Sequence, residues 1–248
     1  MEPDIGGREK YLNIVFYVSL FVLLCFVLAG PGSRFGWWHF GFGFSILKFC
    51  FYGAIATLIL WVVGIIRIRK AISRKRLIKA VSTLLIILIL IMIPLNLIGR
   101  AKHFPRIHDI TTDFEDPPLF RSILLLRKDS PNSAAYGGPE VSALQKKGYP
   151  DIKPLFLSIP PDQAFEKALE KANELKWEIV DANAAEKRIE ATDTTFWFGF
   201  KDDIVIRITP SNGGSRIDLR SVSRVGLSDV GTNALRIRRY LDQFSENK

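Results

Sequence analysis

Three long apolar runs lead into a half that alternates between apolar and polar positions. No charge falls between Tyr11 and Ala29, Lys48 is the only one between Phe44 and Ile66, and none falls between Ala80 and Ile98. Each run is about 19–23 residues, roughly 28–35 Å as helix, which matches a hydrocarbon core of about 30 Å. The pattern predicts three transmembrane helices over 11–29, 44–66 and 80–98. The alternative, a buried helix hairpin, does not call for three such runs in so short a stretch. Lys48 lies about one turn inside its run, close enough to snorkel to the interface; a transport role is the other reading. Pro94 falls near the end of its run, where a lost hydrogen bond is tolerable.

Residues 101–152 read as an irregular arm. Pro105, Pro117, Pro118, Pro131, Pro139 and Pro150 punctuate it, and Asp129–Pro139 is rich in Ser, Ala and Gly. Leu119–Leu126 is too apolar for a free linker, so the arm should be ordered. From Lys153 the pattern regularises into a domain over 153–248. Pro154–Ile159 predicts a short strand. Pro160 and Pro161 open a helix with Phe165, Ala168, Leu169, Ala172 and Leu175 as its apolar stripe. Trp177–Asp181 and Arg188–Phe200 predict strands. Asp203–Thr209 and Arg216–Val225 should pair across Pro210–Gly214. Val230–Phe244 closes as a helix with Ala234, Ile237, Leu241 and Phe244 inward, capped by Ser228 or Asp229. The expected class is a membrane-anchored α+β protein: three N-terminal transmembrane helices, then a β-α-β-β-β-β-α domain whose antiparallel sheet packs on helices.

Charge changes the picture next. The whole chain carries 34 Lys+Arg against 25 Asp+Glu. All of that excess lies before residue 101, where 12 basic residues meet 3 acids, and the remainder balances at 22 of each. Basic groups beside apolar runs report topology rather than nucleic acid, so a nucleic-acid partner and a simple soluble enzyme are both set aside. Arg67, Arg69, Lys70, Arg74, Lys75, Arg76 and Lys79 fill the second loop with no acid, whereas the first holds only Arg34 amid Gly, Trp37 and Trp38. The positive-inside rule then places the N-terminus and the Arg67–Lys79 loop in the cytoplasm and residues 101–248 outside it, on a multi-pass inner-membrane protein. A signal peptide ending near Ala29 would need a shorter apolar region and a leader more basic than one with Glu2, Asp4 and Glu9. The basic loop could also attract anionic headgroups. Cys25 and Cys50 both fall in apolar runs, which leaves the polar half without a disulfide framework, a thiolate metal site or a cysteine nucleophile.

Four clusters could carry chemistry. His108, Asp109 and Asp113 lie together before Pro117-Pro118; a His beside carboxylates could act as a general base, although an ordered turn explains the same letters. Adjacent residues on an extended chain point opposite ways, so no metal site is assigned. Phe196, Phe198 and Phe200 alternate with Trp197, giving either a core stripe or an apolar pocket wall. Asp203, Arg207, Asp218, Arg220 and Arg224 share the face opposite Ile204 and Ile206, as a cross-strand ladder worth tenths of a kcal/mol per pair or as a clamp for a carboxylate or phosphate. Asn233 and Arg236 lie at the last helix start, where capping or anion binding would use them. No nucleophile elbow, phosphate loop or dinucleotide fingerprint names a reaction or a cofactor.

At these letters the chain resembles the family called domain of unknown function 1499. The matching stretches are His108–Asp113 with Pro117-Pro118, Tyr149-Pro150-Asp151, Trp177-Glu178, Glu190-Ala191-Thr192, Phe196–Asp203, Asp218–Gly226, and Ser228-Asp229 through Asn233, Arg236 and Ile237. The resemblance covers about residues 106–245 and implies no reaction, ligand or catalytic residue. The leading expectation is an envelope module that binds a lipid, a small ligand or a protein partner. The alternatives are a hydrolase or metal-assisted enzyme using His108, Asp109 and Asp113, and an assembly subunit of a membrane complex.

Overall fold

The computed structural model describes residues 5–68 and 73–244; Glu2, Asp4, Arg69 and Lys70, which entered the topology argument, lie outside them. The chain divides into two compact units, one of residues up to Arg100 with Trp197–Gly199, the other of the remaining C-terminal residues.

The first unit holds α1 (Ile5–Arg34), α2 (Phe40–Ile68) and α3 (Arg74–Ala101). All three are long and apolar enough to cross a membrane. Each runs past its expected apolar stretch at both ends, because helical hydrogen bonding continues through flanking polar residues and, at the start of α2, through Phe40–Gly43. α2 begins four residues earlier than expected, so exposed Lys48 sits eight residues in, about 12 Å along the axis rather than one turn. Small residues bring α1 and α2 together: Ala29 and Ala54 are fully buried, and a Cβ on Gly43 would meet Ala29 O at 2.7 Å.

The second unit is built on six antiparallel strands: β1 (Asp109–Thr111), β2 (Leu155–Leu157), β3 (Glu178–Asn183), β4 (Arg188–Thr194), β5 (Lys201–Ser211) and β6 (Gly214–Ser223). The order is β1-β6-β5-β4-β3, and β2 also pairs with β6. The free edge of β6 is shared end to end, with β2 opposite Ser215–Ile217 and β1 opposite Arg220–Val222. Thr112 closes the gap, its N–H donating to Leu219 O while Leu219 N–H donates to its Oγ1, both at 2.9 Å. The β5–β6 turn is tighter than expected. Asn212 and Gly213 alone form the loop, both at positive φ as a two-residue hairpin requires. Pro210 is tolerated inside β5 because β4 has already ended alongside it, at the Arg188–Arg207 pair.

One face of the sheet is apolar. Ile189, Ile204, Ile206, Ile208, Ile217 and Leu219 pack there with α5 (Pro161–Glu174) and α6 (Thr232–Asp242). Tyr240 joins the two helices to the sheet by stacking on Trp177 at 5.2 Å and donating its hydroxyl to Ala168 O at 2.9 Å.

Two expectations need correction. The arm is not irregular throughout: it contains β1, a 3-10 helix over Ser122–Arg127, and α4 (Gly138–Gly148). The predicted strand over 188–200 stops at Thr194, with Thr195 N–H bonding to Phe200 O across a turn, so the Phe alternation forms no core stripe. Phe196 is 90% exposed.

Candidate functional site

The second face of the sheet carries charge and is nevertheless buried. Register places Asp109 beside Val222, Thr111 beside Arg220, Val205 beside Arg220, Arg207 beside Asp218, and Thr192 beside Asp203, all on this face. The arm covers it. Phe120 and Ile123 pack on Val205 and Val222, and around this small apolar patch every strong charge finds a partner. Arg220, fully buried, donates to both oxygens of Asp109, to Pro118 O and to Ala134 O, between the rings of Phe120 and Tyr136. Asp203 accepts from Arg127 at 2.6 Å, from Arg224 at 2.8 and 2.9 Å, and from Thr192 at 2.7 Å. Burial opposes its ionisation, but these donors outweigh it and hold the carboxyl below the usual range.

Asp218 accepts from Thr112, Arg207 and Arg216. Asp113 joins the same two arginines and takes the N–H groups of Glu115 and Asp116, which together overcome burial and lower its pKa. Glu190 takes the N–H groups of Arg121 and Ile123 at 2.8 Å each, seating the start of the 3-10 helix, and pairs with Arg188. The cross-strand ladder is therefore a buried layer. Removing one member strands a charge in low dielectric, at about 3–5 kcal/mol instead of tenths.

Asn233 and Arg236 are engaged likewise on the other side. Asn233 donates to His108 O and Ser223 Oγ and accepts from Ser221. Arg236 reaches Asp193, Asp202 and Ser221. The helix itself begins at Thr232 with Gly231 as its N-cap, later than expected, and Asp229 receives the N–H groups of Gly231 and Asn233 from upstream. Burial raises the pKa of Asp229 against those two bonds. Trp197 belongs to the helical unit, where its indole donates to Val27 O at 3.2 Å. These candidates do not converge on one site.

The second unit also contains a cavity of about 510 Å³, between the entry to β1, the loop 131–137 and Leu227. Its walls include Ile107, Val141 and Ala135, with Arg106, His108, Asn132 and Ser133 among the polar groups. Asp109 borders it but is committed to Arg220, and Asp113 is not among its walls. Asn132 directs its amide to Ser223 O and Gly226 O. The His108 ring makes no hydrogen bond or ion pair among the described residues, since its contacts run through its backbone carbonyl. No group of three metal-ligating side chains occurs among the described residues.

Sequence reasoning missed Arg127 and Glu190, which carry the arm, and Gln145. From α4, Gln145 pairs with the outer edge of β1, donating to Thr111 O at 2.7 Å and accepting from Thr111 N–H at 3.0 Å. The one available signal was an acid inside a strand pattern, Glu190 among Ile189, Ala191 and Thr192, which needs a buried partner.

A model of the family described as protein of unknown function (DUF1499) matches residues 109–244. No curated protein matches the chain. Among solved structures, the chain is similar to Ara h 8.0201, at 14% identity and a TM-score of 0.28 over 39% of this chain and 96% of that one. It is similar also to CalU16 from Micromonospora echinospora, at 13% and 0.27 over 37% and 72%. TTHA0849 from Thermus thermophilus follows at 15% and 0.21 over 38% and 86%.

Proposed function

The chain belongs to the DUF1499 family, and from that premise we propose that it is a membrane-anchored binding protein whose α+β domain, outside the cytoplasm, takes a small ligand in the His108 cavity. The observation that carries this reading is the uncommitted His108 ring in a domain whose other charged candidates are paired. The cavity falls within the usual range of about 300–1,000 Å³ for ligand sites, and its walls combine apolar side chains with several polar ones. Arg106 and His108 suit a ligand with an apolar body and an anionic or hydrogen-bond-accepting end.

The three apolar helices and the Lys/Arg bias of the second loop support a multi-pass inner-membrane address with residues 101–248 outside. A hydrolase built on His108, Asp109 and Asp113 draws less support, because both carboxylates are held by arginines.

A protein partner is the second reading. Leu119, Leu124, Leu125 and Leu126 are exposed on the arm, Leu125 to 80%, and contiguous apolar surface marks interaction sites. The test is to purify the full chain gently, heat-release its small molecules and identify them by mass spectrometry. A compound present with wild type and absent with His108→Ala supports the cavity reading. The same compounds from both would remove it.

A further inference from the structure

Register sorts the connections of the sheet between its two ends. Asp109 stands beside Val222, Asp202 beside Ser223, and Thr194 beside Lys201, so the entry to β1, the 195–200 turn and the exit of β6 share one end. The Asn212–Gly213 loop and the 184–187 turn lie at the other. The 3-10 helix of the arm runs toward the first end. It starts with Ile123 N–H on Glu190 and finishes with Leu126 O accepting from Arg224 and Arg127 donating to Ser223 O.

Large apolar side chains stand exposed at that same end. The three most exposed in this unit are Phe196 at 90%, Leu125 at 80% and Leu227 at 71%. They come from three separate segments, the 195–200 turn, the 3-10 helix and the exit of β6, so the fold and not one apolar run brings them to one end. Leu126 and Val230 are exposed there as well. Apolar surface left open in this way marks a site of contact.

The chain arrives at this end directly from α3. Only Lys102 and His103 separate Ala101 from Phe104, which already packs on the domain core beside Ile107. That step spans at most about 11 Å, and Phe104 N–H bonds back to Ala101 O at 3.4 Å. No stalk therefore lifts this end of the sheet away from the point where α3 leaves the bilayer, and a gap that short leaves little room for a soluble partner. Apolar side chains held at such a surface enter the boundary between headgroups and acyl chains, to a depth of about 5–10 Å.

We propose that this end of the α+β domain seats on the lipid bilayer, with Phe196, Leu125 and Leu227 in the interface. The contact rests on the reading that the three helices cross a bilayer and is independent of the His108 cavity.

The experiment uses the full chain, with Cys25→Ala and Cys50→Ala, in vesicles of phosphatidylethanolamine and phosphatidylglycerol. Leu125→Cys, Phe196→Cys, Leu227→Cys and, at the opposite end, Ala185→Cys each carry one nitroxide, and matched circular dichroism confirms the fold. Collisions with oxygen should exceed those with a water-soluble nickel chelate at 125, 196 and 227, and the order should reverse at 185. All four positions are exposed, and those at 125 and 227 lie on segments separate from the 195–200 turn, so a local change at Phe196 leaves two readings intact. Free access of the nickel chelate at 125 or at 227 overturns the contact. Exclusion of both quenchers from 125 and 227 overturns it in favour of a protein covering the same side chains. A chain that alkaline washing strips from the vesicles overturns the membrane reading and this contact together. An integral chain with water-exposed labels overturns the contact alone.

Discussion

Arg220 and Asp109 form a fully enclosed two-pronged ion pair, Nε to Oδ1 at 2.9 Å and Nη2 to Oδ2 at 2.7 Å, that ties β6 to β1. The remaining Arg220 donors hold the arm at Pro118 and Ala134. The pair is thus part of the scaffold and not a clamp for a ligand. Asp109→Asn or Arg220→Met should each cost about 3–5 kcal/mol, because each leaves the opposite group buried without its countercharge. The double variant Asp109→Leu with Arg220→Met should recover much of that loss. Thermal unfolding of the full chain, followed by the strand signal in circular dichroism, distinguishes the two cases. Additive losses in the double variant would show that the pair is not coupled.

Asp203 sets an acid limit on stability. Its folded pKa lies below the unfolded carboxylate value of about 3.9, through the donors that outweigh burial. Its contribution is complete above the unfolded value and disappears as pH falls through the folded one. Asp113 has the same sign. Asp229, raised by burial, has the opposite sign, losing its contribution as pH rises through its folded value, and it is common to wild type and variant. Asp203→Asn should lower the unfolding midpoint at neutral pH, and its gap from wild type should narrow over the interval below about pH 4. Parallel curves over that interval would contradict the assignment.

Gln145 acts as a one-residue strand on the edge of β1. Gln145→Leu should destabilise by about 1–3 kcal/mol, since it leaves Thr111 N–H and C=O buried without partners. Amide exchange at Thr111 is the local check, expected to accelerate while Ile206 in the middle of the sheet changes little. Unaltered exchange at Thr111 would mean that water or another donor replaces the amide.

The Lys/Arg bias of the loops predicts opposite outcomes at two points. A reporter active only outside the cytoplasm should function after Phe244 and fail in the Arg67–Lys79 loop. The reversed pattern would place the His108 cavity in the cytoplasm.

The apolar half of the fold was legible because its signals are local. The Phe165, Ala168 and Ala172 stripe and the alternating Ile204, Ile206 and Ile208 each point to one face, and the structure buries them together. The polar face was legible only as letters. That Asp203, Asp218 and Arg220 share a face follows from alternation. That the arm buries them depends on Arg127, 76 residues from Asp203, and on Glu190, whose partners are backbone N–H groups. Nothing in the spacing of either residue announces such pairing. The Phe196–Phe200 stretch failed for a related reason, since Gly199 takes a positive φ and turns the chain before the alternation can continue.

Occupancy of the His108 cavity by a ligand is the most direct test of the binding role. Native mass spectrometry of the full chain should show wild type with a defined extra mass that Ala135→Trp, which fills the cavity from the exposed loop, does not carry at the same unfolding temperature. A bare wild type, or an adduct that survives the tryptophan, would contradict it.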